Sequence, residues 1–368
     1  AILGINNRSI FNDDEQVIQD KQQIKQENLT IDEKVDQIVE SMSQTEKLGQ
    51  MVMIGIQGTK VDDDSLYMLN QYHMGGVILF DRNMENPEQV KQLTSDLQAQ
   101  SNEKVPLFIG IDEEGGDVVR MAEKLTPPPS QKEIGATGDI EQAKTWAIKT
   151  AKSLKDMGIN VNFAPVADVG SNDKRSYSTD TNTVIDFVRA ATKGYQQENI
   201  IYSLKHFPGI GKGRVDSHVD SSSIDVAKEV LMTEDIIPFK TIIDENDPND
   251  YFILVSHLKY PALDEEYPAS LSSKIMTDLL RNELGYKGII ITDDMEMGAV
   301  ANHNDFRSIG VKAVKAGVDI VLVCHEYEHQ QEVYLGLLDA VNSGEISQER
   351  IDESVKRIIK VKLLHLYQ

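Results

Sequence analysis

Residues 283–297 read ELGYKGIIITDDMEM, and the short apolar run inside this stretch, 288–291, decides the fold. The run is too short for a typical helix, and it is continuously apolar rather than alternating. That pattern belongs to a strand covered on both faces, as in a parallel sheet. Working outward, runs of the same kind lie at 51–56, 76–80, 106–111, 159–163, 201–204, 252–255 and 319–323. Longer amphipathic stretches separate them, among them 87–100, 141–157, 273–284 and 305–315, and 348–366 closes the chain as a last amphipathic helix. Eight strands alternating with helices is the count of an α/β fold of the (β/α)8 TIM-barrel kind, with an open doubly wound sheet as the alternative. No linker marks a second domain, so residues 30–368 read as a single catalytic barrel domain.

The first 29 residues differ in character. They are polar, rich in Gln, Asn and Asp, with little periodicity, and read as a solvated leader or linker. Order is expected from Thr30 onward. Thr30-x-x-Glu33 and Ser43-x-x-Glu46 both fit capping boxes, and Ile31, Val35, Ile38, Val39 and Met42 between them keep a helical spacing. The chain opens at Ala1 with no signal-peptide pattern, and no run of about 18 apolar residues spans a membrane.

Composition narrows the function. The 368 residues carry 37 Lys+Arg against 60 Asp+Glu, a formal net charge of −23. Nucleic-acid binding rests on cations that neutralise phosphates, so this balance argues against it, and equally against docking on an anionic membrane. With 40% hydrophobic and 26% charged residues the chain is globular in composition. A lone cysteine, Cys324, excludes an internal disulfide and a Cys-rich zinc site.

Barrel sites are built at the C-terminal ends of strands, so the residue after each run matters. Asp112 follows the third run, Lys205 and His206 the fifth, His257 the sixth, and Asp293 and Asp294 the seventh. Together they read as one polar pocket. Asp294 suits a helix N-cap, which leaves Asp293 to point inward. A carboxylate there can attack an anomeric carbon and form a covalent glycosyl-enzyme. No His/Asp cluster with ligand spacing accompanies it, so no metal is expected. Residues 205–220, KHFPGIGKGRVDSHVD, fail as a P-loop because His206 and Gly213 occupy the places of the first Gly and the Ser/Thr. They read instead as an active-site loop carrying Asp216 and His218, an Asp/His pair able to move a proton near neutrality, or as two ordinary loop residues.

At this point the sequence resembles family 3 glycoside hydrolases, in their bacterial β-N-acetylglucosaminidase branch. The matching segments are HMGGVILFDRNMENPEQV (73–90), GIDEEGGDVVR (110–120), INVNFAPVADV (159–169), RSY (175–177), KHFPG with DSH (205–218), HLKYPALD (257–264), ELGYKGIIITDDMEM (283–297) and AGVDIVLV (316–323). The resemblance implies a TIM-barrel hydrolase that removes terminal non-reducing β-linked N-acetylglucosamine with retention and without a cofactor. By carry-over, Asp293 is the nucleophile, His218 the acid/base and Asp216 its partner. Asp112, Arg120, Arg175, Lys205 and His206 match positions that hold the sugar. Implied substrates are N-acetylglucosaminyl-muramyl fragments or muropeptides of peptidoglycan, with phosphate as an alternative acceptor to water. Two positions depart from the family: it usually reads Pro-Gly-His-Gly-Asp-Thr, and here Ile210 and Lys212 replace the His and Asp.

Three alternatives stay open. One is a β-glucosidase or β-xylosidase of the same fold, and another is a non-catalytic cell-wall sugar-binding protein. The third keeps the barrel but moves the acid/base to Glu113 or Glu114. A wall-derived substrate and a polar leader point to an exported, wall-associated protein, with a cytoplasmic one as the alternative.

Overall fold

A computed structural model of the chain describes residues 10–101, 105–170, 174–213 and 223–367, with side chains of the first helix from Glu15 onward. Asp216 and His218 lie outside the described residues. All eight apolar runs hold strands: β1 (Val52–Gly55), β2 (Gly76–Leu79), β3 (Phe108–Ile111), β4 (Val161–Asn162), β5 (Tyr202–Phe207), β6 (Tyr251–Val255), β7 (Ile289–Thr292) and β8 (Val321–Val323). Every residue of these strands is buried, which is why their sequences are mostly apolar without alternation. β5 runs on to Phe207, so Lys205 and His206 belong to the strand rather than following it.

The strand pairing is parallel throughout. Five strands form one sheet in the order β4-β3-β2-β1-β8, and three form another in the order β5-β6-β7. Met53 pairs with Gly76, Ile109 with Val77, and Phe252 with Ile289. Isolated parallel bridges join the sheets at both edges, Val161 to Ile201 between β4 and β5, and Ile291 to Ile320 beside β7 and β8.

Side chains stitch what the short ladders leave open. Asn160 Oδ1 accepts from the Ile109 N–H at 2.8 Å, and Asn162 exchanges bonds of 3.0 and 3.1 Å with the Glu113 backbone. Across the β7/β8 seam the Thr292 hydroxyl accepts from the Leu322 N–H at 3.0 Å, and Asp319 Oδ2 accepts from the Ile290 N–H at 2.9 Å. Asp319 is wholly buried, with Arg281 and Arg357 paired to it and Ser354 donating at 2.7 Å. Burial pushes its carboxyl up, but Arg281, Arg357 and Arg350 outweigh that and hold it below the usual range.

The helices form where their caps predict. Asn86 caps Pro87–Gln100 by accepting from Gln89 N–H at 2.8 Å, and proline suits the first turn because its missing N–H is not needed there. Ser43 and Glu46 form the full reciprocal box, whereas Thr30 caps by its hydroxyl. The stretch expected as a helix at 273–284 is Lys274–Glu283, wound with π-type bonding. The leader departs from expectation: Ile10–Glu27 is an α-helix, exposed from Glu15 on. Its Gln, Lys and Glu residues are good helix formers, and Gln16 bonds Asp20 one turn on at 3.1 Å, so no apolar stripe on the core is required. Among the described residues no helix is long and apolar enough to cross a membrane.

Candidate active site

A cleft of about 300 Å³ opens at the C-terminal ends of the strands. Of the residues expected to hold substrate, Asp112, Arg120, Arg175, Lys205 and His206 all line it, together with Asp293. Phe80, Phe163 and Met297 add apolar surface. Successive residues of a regular strand face opposite sides, yet Lys205 and His206 both reach the cleft. The register of β5 against β6 shifts between Lys205 and Phe207, and a bulge of this kind re-aims a side chain.

The polar groups form a chain of charge. Lys205 Nζ lies 2.6 Å from Glu114 Oε2 and 3.1 Å from Asp112 Oδ1. Arg175 grips both Glu114 oxygens, at 2.9 and 2.7 Å, and Arg120 reaches Asp112 at 3.6 Å. Burial alone would raise Glu114, but Lys205 and Arg175 beside it hold its carboxyl down to about 2. The same pairing keeps Lys205 charged despite complete burial. Glu114 is therefore no proton donor. Glu113 has the opposite character: burial raises it to about 7, but it does not line the cleft, and its Oε1 has no partner among the described residues. Neither glutamate suits the acid/base role.

Two expectations at the strand ends are corrected. His257 is not in the cleft. It is buried, with Nδ1 at 2.6 Å from the Ser270 hydroxyl, and Nε2 donates to the Asp294 carbonyl at 2.8 Å, so it braces the turn after β7 from behind. Asp294 is not a helix N-cap, since the next helix, Gly298–Ala301, is capped at Met297. Asp294 Oδ1 instead accepts from the N–H groups of Glu296 (3.2 Å) and Cys324 (3.1 Å), fastening the turn to the end of β8. Asp293 is left half-buried at the cleft, with Oδ1 accepting from the Asp294 N–H at 2.9 Å.

Lys212, one of the two departures, is tied down at the start of the glycine-rich segment. Its Nζ bonds Asp235 Oδ2 at 2.8 Å and Glu234 Oε2 at 2.7 Å. Gly211 packs so closely on the Val169 carbonyl that a Cβ would stand 1.9 Å from that oxygen. Sequence reasoning missed two residues. His325 lines the cleft, takes a bond of 2.8 Å from Arg82 at Nδ1, and stands 3.7 Å from Asp294. It follows the eighth apolar run, so the rule that found the others would have found it. Asp168, bonded to His206, carries no such signal, because it lies well past the end of β4.

Comparison with known proteins identifies the family. Residues 43–361 match the family described as "Glycosyl hydrolase family 3 N terminal domain". The chain is 36% identical over 326 residues to "Beta-hexosaminidase A" of Pseudoalteromonas piscicida, covering 80% of this chain and 54% of that protein. It is 31% identical to "Beta-hexosaminidase" of Nitrosomonas eutropha, covering 83% of this chain and 90% of the relative. A glycoside hydrolase family 3 β-N-acetylglucosaminidase from Paenibacillus sp. str. FPU-7 superposes with a TM-score of 0.83 at 37% identity, over 88% of this chain and 62% of that one. M tuberculosis LpqI superposes with a TM-score of 0.80 at 28% identity, over 88% and 95%. The chain thus spans about half the length of one relative and nearly all of others. With the family match running through every strand, the chain belongs to glycosyl hydrolase family 3 and is a glycoside hydrolase whose relatives are named beta-hexosaminidase.

Proposed function

We propose that the chain is a retaining exo-glycosidase that releases terminal β-linked N-acetylglucosamine, with its eight strands acting as one closed (β/α)8 barrel domain. The observation that carries this reading is the half-buried Asp293 carboxylate at one cleft with Lys205, His206, Arg175, Asp112 and Arg120. Such a set suits a neutral sugar. Paired cations and carboxylates offer donors and acceptors to hydroxyl groups, and Phe80 and Phe163 face the apolar side of the ring. Asp293 attacks the anomeric carbon, and its charge opposes the positive charge that develops in the oxocarbenium-like transition state. His218, oriented by Asp216, protonates the departing oxygen and then activates the water that releases the sugar. Peptidoglycan-derived fragments are the proposed source of substrate, and a wall-associated location the proposed setting.

Paired aryl substrates test the reading. Turnover of the aryl β-N-acetylglucosaminide should exceed that of the β-glucoside in kcat/KM by at least about a hundredfold, because groups placed for an acetamide are left unpaired without it. Asp293→Ala should lose nearly all of this activity at unchanged Tm. Equal rates on the two aryl glycosides would make the protein a glucosidase instead.

A further inference from the structure

Asp168 is buried behind the cleft, and three N–H donors converge on it. Its Oδ1 accepts from the backbone N–H groups of His206 at 3.1 Å and Ile210 at 3.0 Å. Its Oδ2 lies 2.9 Å from His206 Nδ1. On the far side of the ring, His206 Nε2 lies 3.3 Å from Arg175 Nη2. A carboxylate only accepts and a guanidinium only donates. The two ends of the imidazole therefore demand the same state, a neutral ring with its proton on Nδ1 and a lone pair on Nε2 at the cleft. Arg175 cannot swing away cheaply to relax this demand, since both Glu114 oxygens hold it.

We propose that Asp168 is a positioning residue that fixes the tautomer of His206, so that its Nε2 lone pair accepts from Arg175 at the cleft, and ties that ring to the chain at Ile210. The proposal rests on the reading of the cleft as a sugar site. With its one lone pair given to Arg175, His206 holds that guanidinium, which lines the cleft, in place for the sugar. Ile210 lies three residues beyond the end of β5, so one carboxylate holds both the ring and that backbone position.

A carboxamide cannot replace this carboxylate. Asparagine at 168 offers one acceptor and one donor group where three donors converge. The least costly escape keeps its oxygen on the two backbone N–H groups and turns its NH₂ toward Nδ1. The ring must then carry its proton on Nε2, donor against donor with Arg175.

Imidazole ¹⁵N shifts of the whole chain give the direct test, with the His206 signals identified by their loss in His206→Gln. The parent protein should show a protonated Nδ1 and an unprotonated Nε2, and Asp168→Asn should exchange them. Binding of N-acetylglucosamine should weaken by at least about tenfold in Asp168→Asn, but by less than about threefold when the same change is made in His206→Gln. The opposite tautomer in the parent protein would overturn the proposal, and this measurement needs no variant of Asp168 to fold. Equal weakening with and without the His206 ring would also overturn it. If the parent chain fails to bind N-acetylglucosamine, the sugar reading falls alone, and the nitrogen shifts still decide the role of Asp168.

Discussion

At the residue scale, two titrating groups give separate expectations. If His218 protonates the leaving oxygen, its removal matters most when that oxygen is a poor leaving group. In His218→Ala, kcat/KM for a disaccharide should fall roughly 10²–10⁴-fold further than for a nitrophenyl glycoside. Equal losses would leave His218 a binding residue. Glu113 governs stability instead. Burial raises its folded value to about 7 from the ordinary carboxylate value near 4.5. Between those limits the unfolded chain has lost the proton while the folded chain keeps it, so stability falls as pH rises through this window and levels off above it. At roughly 1.4 kcal/mol per unit, the full effect is on the order of 3 kcal/mol. Glu113→Gln should therefore show a flatter dependence of unfolding free energy on pH from 5 to 8, gaining on the parent protein toward pH 8. Parallel profiles would mean that Glu113 ionises normally.

At the scale of single elements, β7 is the strand on which the proposed chemistry depends, and its outer edge leans on a side chain. The Thr292 hydroxyl accepts from the buried Leu322 N–H. Thr292→Val keeps the shape and orphans that donor, which should cost about 1–3 kcal/mol in denaturant unfolding. Serine at 292 should recover most of it. Elements of this kind were largely legible in the sequence. A strand covered on both faces must be apolar at each position, so residues 288–291 or 252–255 announce themselves. The residues just past a strand end are also legible, because chain direction alone carries Asp112 and Asp293 to one rim. What sequence could not show is where a polar side chain turns once it arrives. Asp294 turned to the N–H groups of Glu296 and Cys324, and His257 to Ser270, because those partners come from other strands or later loops. The helical state of Ile10–Glu27 was hidden for a different reason: an exposed helix needs no periodicity.

At the scale of the whole molecule, Asp319 is the joint between sheet and outer helices. It meets Arg281 from Lys274–Glu283, Ser354 and Arg357 from Gln348–His365, and the backbone of β7. Asp319→Ala would leave guanidinium groups facing one another in a space without a carboxylate. Breaking a buried pair from one side typically costs about 3–5 kcal/mol, and equilibrium unfolding should show a loss of that size. A loss below about 1 kcal/mol would mean that the arginines find other partners. Such pairings join residues far apart in sequence, so no local pattern reveals them.

The division into five strands and three has one more consequence. Asp112 and Glu114 follow a strand of the larger sheet, whereas Lys205 lies in a strand of the smaller and Asp293 follows another. The ion pairs from Lys205 to Asp112 and Glu114 thus span the two sheets as well as lining the cleft. A sugar that competes for those oxygens therefore meets groups contributed by both sheets. Cys324, buried at the end of β8 beside the other seam, is the sole thiol in the chain. It also lines the cleft, so a sugar bound there should slow its reaction with a thiol reagent.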